Sequence, residues 1–156
     1  MAVEVKIDVD HVFEVSADQE TAFALFSDVP RSISHFPDVQ ELIHQGDEVY
    51  EWVMKSKGPS VFEHAVRYAC RYTSNPDAKT VTWSPIENVG NAVFSGSWKL
   101  EAINTGTRVH FGTHAILSVP APRMLRSAVA PYADKALRSE IKQYLENLQV
   151  TLNACK

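Results

Sequence analysis

Residues 3–15 read VEVKIDVDHVFEV, a stretch that alternates between apolar and charged side chains. Six of its seven odd positions are apolar, the exception being His11, and five of its six even positions are charged. Successive side chains of a strand point to opposite faces of a sheet. The pattern therefore predicts a long first strand with one face on a core and the other in water.

A short helical segment is predicted directly after this strand. Ser16 and Gln19 have the spacing of a capping box, in which each side chain satisfies a free backbone N–H of the first turn. Pro30 disfavours helical conformation in the residue before it, so the helix should end near Asp28. A second short helix or turn is predicted over Arg31–Phe36.

Six further strands are predicted between turn signals rich in Gly, Asn, Asp and Pro. The intervening segments alternate in polarity or are rich in Val, Thr, Tyr, Phe and Trp. They leave no room for a helix between them, so the sheet should be an antiparallel meander. The predicted strands cover residues 39–46, 48–57, 60–74, 79–85, 91–103 and 106–119.

The hydrophobic period changes to 3.6 after Pro120 and Pro122, which predicts an amphipathic C-terminal helix. Pro131 is unfavourable inside a helix, so the main helix is expected from 131 to 152 after a short lead-in. A curved sheet that wraps this helix buries both apolar faces, and the fold class is α+β. The apolar stripe consists of Leu125, Val129, Tyr132, Ala136, Leu137, Ile141, Tyr144, Leu145, Leu148 and Leu152.

The composition is that of an ordinary globular protein, with 156 residues, 45% hydrophobic and 22% charged. We expect one domain over residues 1–156.

A net charge of −4 argues against nucleic acid as a partner. The longest uncharged run, Val109 to Pro122, is 14 residues, too short to cross a membrane. Charged residues at the N-terminus argue against a leader peptide, and the two cysteines have no metal-site or disulfide spacing, so we expect a cytoplasmic protein without a metal or cofactor.

Four segments resemble the START and polyketide cyclase (SRPBCC) superfamily, which has the helix-grip fold. These are SADQETAFALFSDVP at 16–30, SHFPDVQE at 34–41, FSGSWKLE at 94–101 and GTRV at 106–109. The resemblance implies a seven-stranded curved antiparallel sheet around a long C-terminal helix, with two short helices after strand one. It also implies an internal cavity. Members of this superfamily range from lipid, sterol and quinone carriers to aromatase/cyclases, so the fold alone does not give a function.

Strand parity predicts which side chains face that cavity. The side chains at inward positions are mostly apolar and aromatic, and the polar ones among them are a few histidines, threonines and tyrosines. A largely apolar wall with a few polar groups is typical of a ligand pocket. The alternative for each residue is plain core packing. The candidate ligand-binding residues are His11, Trp52, His64, Tyr68, Trp83, Phe94, Trp98, Phe111 and Thr113.

Two functions remain open at this point. The first is binding or transport of a hydrophobic small molecule such as a lipid, isoprenoid, quinone or polyketide. The second is a polyketide aromatase/cyclase that uses His11 or His64 as acid/base, with a tyrosine as acid. No inward strand position carries Arg, Lys, Asp or Glu, which favours the binding protein and leaves no residue assigned as catalytic. His110 and His114 share the outward parity about 13 Å apart, too far to ligate one metal ion.

Overall fold

The computed structural model describes residues 2–56 and 65–154. Seven strands and three α-helices follow one another in the predicted order. The strands are β1 (Val3–Val15), β2 (Val39–His44), β3 (Val49–Met54), β4 (Arg67–Asn75), β5 (Thr80–Pro85), β6 (Ala92–Ile103) and β7 (Gly106–Val119). The helices are α1 (Gln19–Ser27), α2 (Val29–Ile33) and α3 (Arg126–Ala154), with a 3-10 turn at Arg123–Leu125 before the last.

The strands form one antiparallel sheet in the order β1-β7-β6-β5-β4-β3-β2. β1 pairs with β7 along its whole length, from Val3 opposite Val119 to Val15 opposite Thr107. The predicted first and last strands have the observed bounds, because the alternation extends over the whole of each strand with few exceptions. The predicted α+β architecture, a curved seven-stranded antiparallel sheet around the C-terminal helix, is confirmed.

Helix α3 begins earlier than predicted. It runs without a break from Arg126 to Ala154 and contains Pro131, which was expected to mark its start. A proline at this position removes the hydrogen bond to the carbonyl of Ser127. Ser127 and Pro131 are both exposed, so water can satisfy that carbonyl, while buried Val129 holds the first turns against the core.

The short helices differ from prediction in their first residues. Asp18, and not Ser16, caps α1 by accepting a hydrogen bond from the Thr21 N–H at 2.8 Å. Ser16 is instead tied to the end of α3, since its N–H donates to the Asn153 side chain at 2.9 Å. Helix α2 begins at Val29 because Pro30 lies in its first turn, where a missing N–H costs nothing.

The central strands are shorter than predicted. β2 ends at His44 and β3 begins at Val49, because Gly46, Asp47 and Glu48 all have positive φ and form the turn between them. β4 begins at Arg67, whereas the predicted strand began at residue 60, and residues 57–64 lie outside the described chain.

Candidate ligand-binding site

A cavity lies between the concave face of the sheet and the three helices. The centre of a water molecule can occupy a volume of about 50 Å³ in it, which is enough for a few waters. A typical ligand pocket has roughly 300–1,000 Å³, so this cavity is nearly filled by its own walls. Its lining consists of Phe26, Val29, Ser32, Ile33, Phe36, Trp52, Tyr68, Tyr72, Val81, Trp83, Phe94, Trp98, Phe111, Thr113, Leu137, Ile141 and Tyr144.

Aromatic rings in mutual contact form most of this wall. Trp98 lies at the centre, with ring centroids 4.2 Å from Phe26 and 4.6 Å from Phe111. Tyr68 is stacked between Trp52, at 5.3 Å, and Phe94, at 4.1 Å. Such contacts hold the rings in fixed orientations. The wall therefore presents flat apolar faces to anything that enters.

Most of the polar groups in the wall already have hydrogen-bond partners within the protein. The Tyr144 hydroxyl and the Ser32 hydroxyl are 2.7 Å apart, with Ser32 itself 3% exposed. The Trp52 indole N–H donates to the Tyr72 hydroxyl at 3.0 Å. Thr113 donates to the backbone carbonyl of Ser95 at 3.1 Å. These pairs lower the polarity that the wall offers to a ligand.

A second cavity of the same volume, about 50 Å³, lies beside the first. The two share Phe36, Tyr68, Phe94 and Leu137, so these four side chains form the partition between them. The second cavity also brings in two charged side chains, Lys55 after β3 and Glu140 of α3. The remaining lining is Met54, Val66, Leu117, Tyr132, Ala133 and Ala136.

We call Tyr68, Tyr72 and Tyr144 the cavity tyrosines. Burial is the main cause that raises the pKa of each of them above the usual value near 10, and a small contribution at Tyr68 comes from the negative charge of Glu140. Burial also raises the pKa of the Cys70 thiol to about 12. All four groups are therefore neutral at physiological pH, and none is poised as an anionic base or nucleophile.

Seven of the nine sequence candidates line the first cavity: Trp52, Tyr68, Trp83, Phe94, Trp98, Phe111 and Thr113. Strand parity brought them together correctly, although their contact with a ligand stays a prediction. His11 is exposed and lines neither cavity, so the structure corrects its predicted position. It lies opposite Phe111 on β1, a strand at the end of the sheet that pairs only with β7. His64 lies outside the described residues.

The outward parity predicted for two other histidines is found in the structure. His110 contacts Glu101 at 3.3 Å, and His114 contacts Asp8, both among side chains exposed on the convex face. Within residues 2–56 and 65–154, no group of His, Cys, Asp or Glu side chains is arranged to hold a metal ion.

Sequence reasoning missed the part of the wall that comes from the helices. Leu137, Ile141 and Tyr144 were identified as apolar positions of the C-terminal helix, but neither they nor Phe26 of α1 were assigned to the cavity, because strand parity does not tell which helix side chains face the sheet. The amphipathic stripe could have supplied the three α3 residues. Ser32 had no sequence signal, because its role depends on the tertiary contact with Tyr144.

A family model described as polyketide cyclase / dehydrase and lipid transport matches residues 6–152 of the chain. The chain belongs to this family. The match covers all seven strands but the first residues of β1, and ends two residues before the end of α3. The description of the family includes both enzymes and carriers, and therefore leaves the choice between them open.

Solved structures with the same fold agree with this assignment. The protein TTHA0849 from Thermus thermophilus has a TM-score of 0.68 at 16% identity, covering 96% of this chain and 97% of that one. A START superfamily protein from Mycobacterium smegmatis has a TM-score of 0.67 at 10% identity, covering 94% and 97%. The Zhui aromatase/cyclase from Streptomyces sp. R1128 has a TM-score of 0.64 at 15% identity, covering 96% and 92%. At these identities the likeness is one of fold.

No curated protein sequence matches the chain. Among the helices of the described residues, none has the length and apolar character needed to cross a membrane.

Proposed function

We propose that this protein binds a hydrophobic small molecule reversibly in the cavity under α3, without converting it. The observation that carries the proposal is the wall itself, where flat aromatic faces surround the cavity and most polar groups already have hydrogen-bond partners in the protein. Transfer of an apolar molecule from water into such a space is favourable by about 25 cal/mol per Å² of apolar surface buried. A binding protein needs nothing more from these residues.

Binding requires the cavity to open, because its present volume admits only a few waters. The partition residues Phe36, Tyr68, Phe94 and Leu137 separate two spaces of about 50 Å³ each. Movement of Phe36 and Leu137, with the stacked rings of Tyr68 and Phe94 kept in place, joins the two spaces into one. The ligand then selects the opened state and has to bind it well enough to offset the lost contacts between the rings. We therefore expect affinity to depend on how well a ligand replaces those aromatic contacts.

A cyclase remains the second candidate function, supported by one observation. Glu140 and Tyr68 line the same second cavity, and a carboxylate beside a neutral phenol is a possible base and acid for enolisation. The Zhui protein is an aromatase/cyclase of the same fold. Of the two histidines considered from the sequence, His11 lies outside both cavities. If the protein is an enzyme, we propose Glu140 in place of His11.

A fluorescence titration tests the proposal. The chain has three tryptophans, and Trp52, Trp83 and Trp98 all line the first cavity. A ligand in the cavity changes the polarity around these rings, so long-chain, isoprenoid and polycyclic aromatic probes should shift the emission saturably. Absence of saturable binding across the whole panel contradicts the proposal. Consumption of a poly-keto substrate that Glu140→Gln abolishes selects the cyclase.

A pair of matched variants locates the binding site within the fold. Leu137→Phe enlarges a side chain that lines both cavities, while Leu145→Phe makes the same change in a buried residue of α3 that lines neither. We expect binding to weaken at least fivefold in Leu137→Phe only, with both variants shown to be folded by circular dichroism. Equal weakening in the two variants argues that binding takes place elsewhere.

A further inference from the structure

The Tyr68 hydroxyl differs from the other hydroxyl groups of the first cavity's wall, which all have hydrogen-bond partners. Tyr68 is 6% exposed, and its hydroxyl has no hydrogen-bond partner among the described residues. In the described part of the chain, no side-chain nitrogen or oxygen that is completely shielded lacks a partner. The Tyr68 hydroxyl therefore borders open space, and the side chain lines both cavities.

We propose that the Tyr68 hydroxyl donates a hydrogen bond to a neutral acceptor oxygen of the ligand, as in a ketone or quinone carbonyl. This inference rests on the proposed function and narrows its ligand to a flat, apolar molecule with a carbonyl oxygen near its middle. A buried polar group without a partner costs free energy, and a ligand that supplies the missing partner recovers it. A hydrocarbon of the same shape leaves the hydroxyl unsatisfied.

The position of the ring makes this hydroxyl a fixed donor. Trp52 and Phe94 hold the Tyr68 ring on its two faces, at centroid distances of 5.3 and 4.1 Å. Burial keeps the phenol neutral, so its proton is available for donation. The contrast with Tyr72 and Tyr144 is informative, because the hydroxyls of both already have protein partners.

The surrounding charges favour a neutral oxygen over a carboxylate. Among the described residues, no charged side chain lines the first cavity. In the second cavity, Lys55 and Glu140 carry opposite charges, and burial is the main cause of the raised Tyr68 pKa. An anionic group buried in the first cavity loses its hydration and finds no cationic side chain among the described residues of the wall, whereas a carbonyl oxygen loses far less.

The test uses two probes that differ at one position, fluorene with a CH₂ group and 9-fluorenone with a carbonyl in its place. Their affinities are measured by calorimetric titration for the wild type, Tyr68→Phe and Tyr50→Phe. Tyr50 is a buried tyrosine that lines neither cavity and serves as the matched control. We expect Tyr68→Phe to bind 9-fluorenone about fivefold more weakly, as one net hydrogen bond predicts, and fluorene unchanged or more tightly.

The infrared carbonyl band of bound 9-fluorenone supplies a readout that a purely structural role does not move. Compared with 9-fluorenone in an apolar solvent, the band should lie at lower frequency in the wild type and in Tyr50→Phe. In Tyr68→Phe it should lie at the frequency found in the apolar solvent. The inference is overturned if both probes bind saturably and Tyr68→Phe lowers the affinity for both equally, or for neither. The proposed function then stands. Failure of both probes to bind the wild type removes the inference together with the proposed function for this class of ligand.

Discussion

In the absence of ligand, removing a hydroxyl from the cavity wall should destabilise the protein at Tyr144 and have little effect at Tyr68. Tyr144→Phe removes a 2.7 Å hydrogen bond and leaves the Ser32 hydroxyl, itself 3% exposed, without that partner. An orphaned buried hydroxyl costs roughly 1–3 kcal/mol. For a domain of about this size, that corresponds to a fall in Tm of roughly 2–12 °C. Tyr68→Phe breaks no hydrogen bond within the described residues, and the expected change in the free energy of unfolding is below about 0.5 kcal/mol.

Urea unfolding followed by circular dichroism measures both changes on one scale. A double-mutant cycle with Ser32→Ala separates the hydrogen bond from other effects, because the double variant removes both partners. The second substitution should then cost less than it does alone, with a coupling energy of about 1 kcal/mol.

Two outcomes refute this reasoning. A loss of more than about 1 kcal/mol in Tyr68→Phe means that its hydroxyl has a partner in the folded protein. Additive costs for Ser32→Ala and Tyr144→Phe mean that these hydroxyls do not interact.

Alkaline pH and backbone packing supply two further tests. Burial raises the pKa of each cavity tyrosine above 10, so the folded protein keeps protons that the unfolded chain loses, and stability is complete below pH 10. Above that pH the free energy of unfolding should fall by about 1.4 kcal/mol per pH unit for each phenol, so that tyrosinate absorbance and loss of circular dichroism rise together. Tyrosinate absorbance before unfolding that exceeds the contribution of the two remaining tyrosines, Tyr50 and Tyr132, contradicts the buried positions. Gly96→Ala places a Cβ 2.2 Å from the Gly112 carbonyl oxygen and 2.5 Å from the Trp83 ring. We expect the free energy of unfolding to fall by about 1–3 kcal/mol and the tryptophan emission to change. A variant with unchanged stability and emission argues against this packing.

Strand periodicity predicted most of the architecture and much of the cavity wall. The alternation in β1 and β7 has few exceptions, so parity follows directly, and Phe111 and Thr113 fall on the cavity side as expected. The broad stripe of α3 likewise predicted the helix that closes the fold. These features depend on local pattern, which a sequence contains in full.

The remainder depends on contacts between distant segments. Parity predicts the face of the sheet to which the His11 side chain points. It does not predict whether another element covers that face at the edge of the sheet, where His11 is exposed. Glu140 lies outside the predicted apolar stripe of its helix, yet it lines the second cavity together with Lys55. The unpaired hydroxyl of Tyr68 becomes visible only after the partners of Tyr72 and Tyr144 are known.

A crystal structure of the protein grown with 9-fluorenone tests the central claim most directly. The account predicts ring density inside the joined cavities, against Trp52, Trp98 and Phe111, with Phe36 and Leu137 displaced and the carbonyl oxygen within hydrogen-bond distance of the Tyr68 hydroxyl. Density only on the protein surface, with the partition residues in place and the cavity closed, contradicts it.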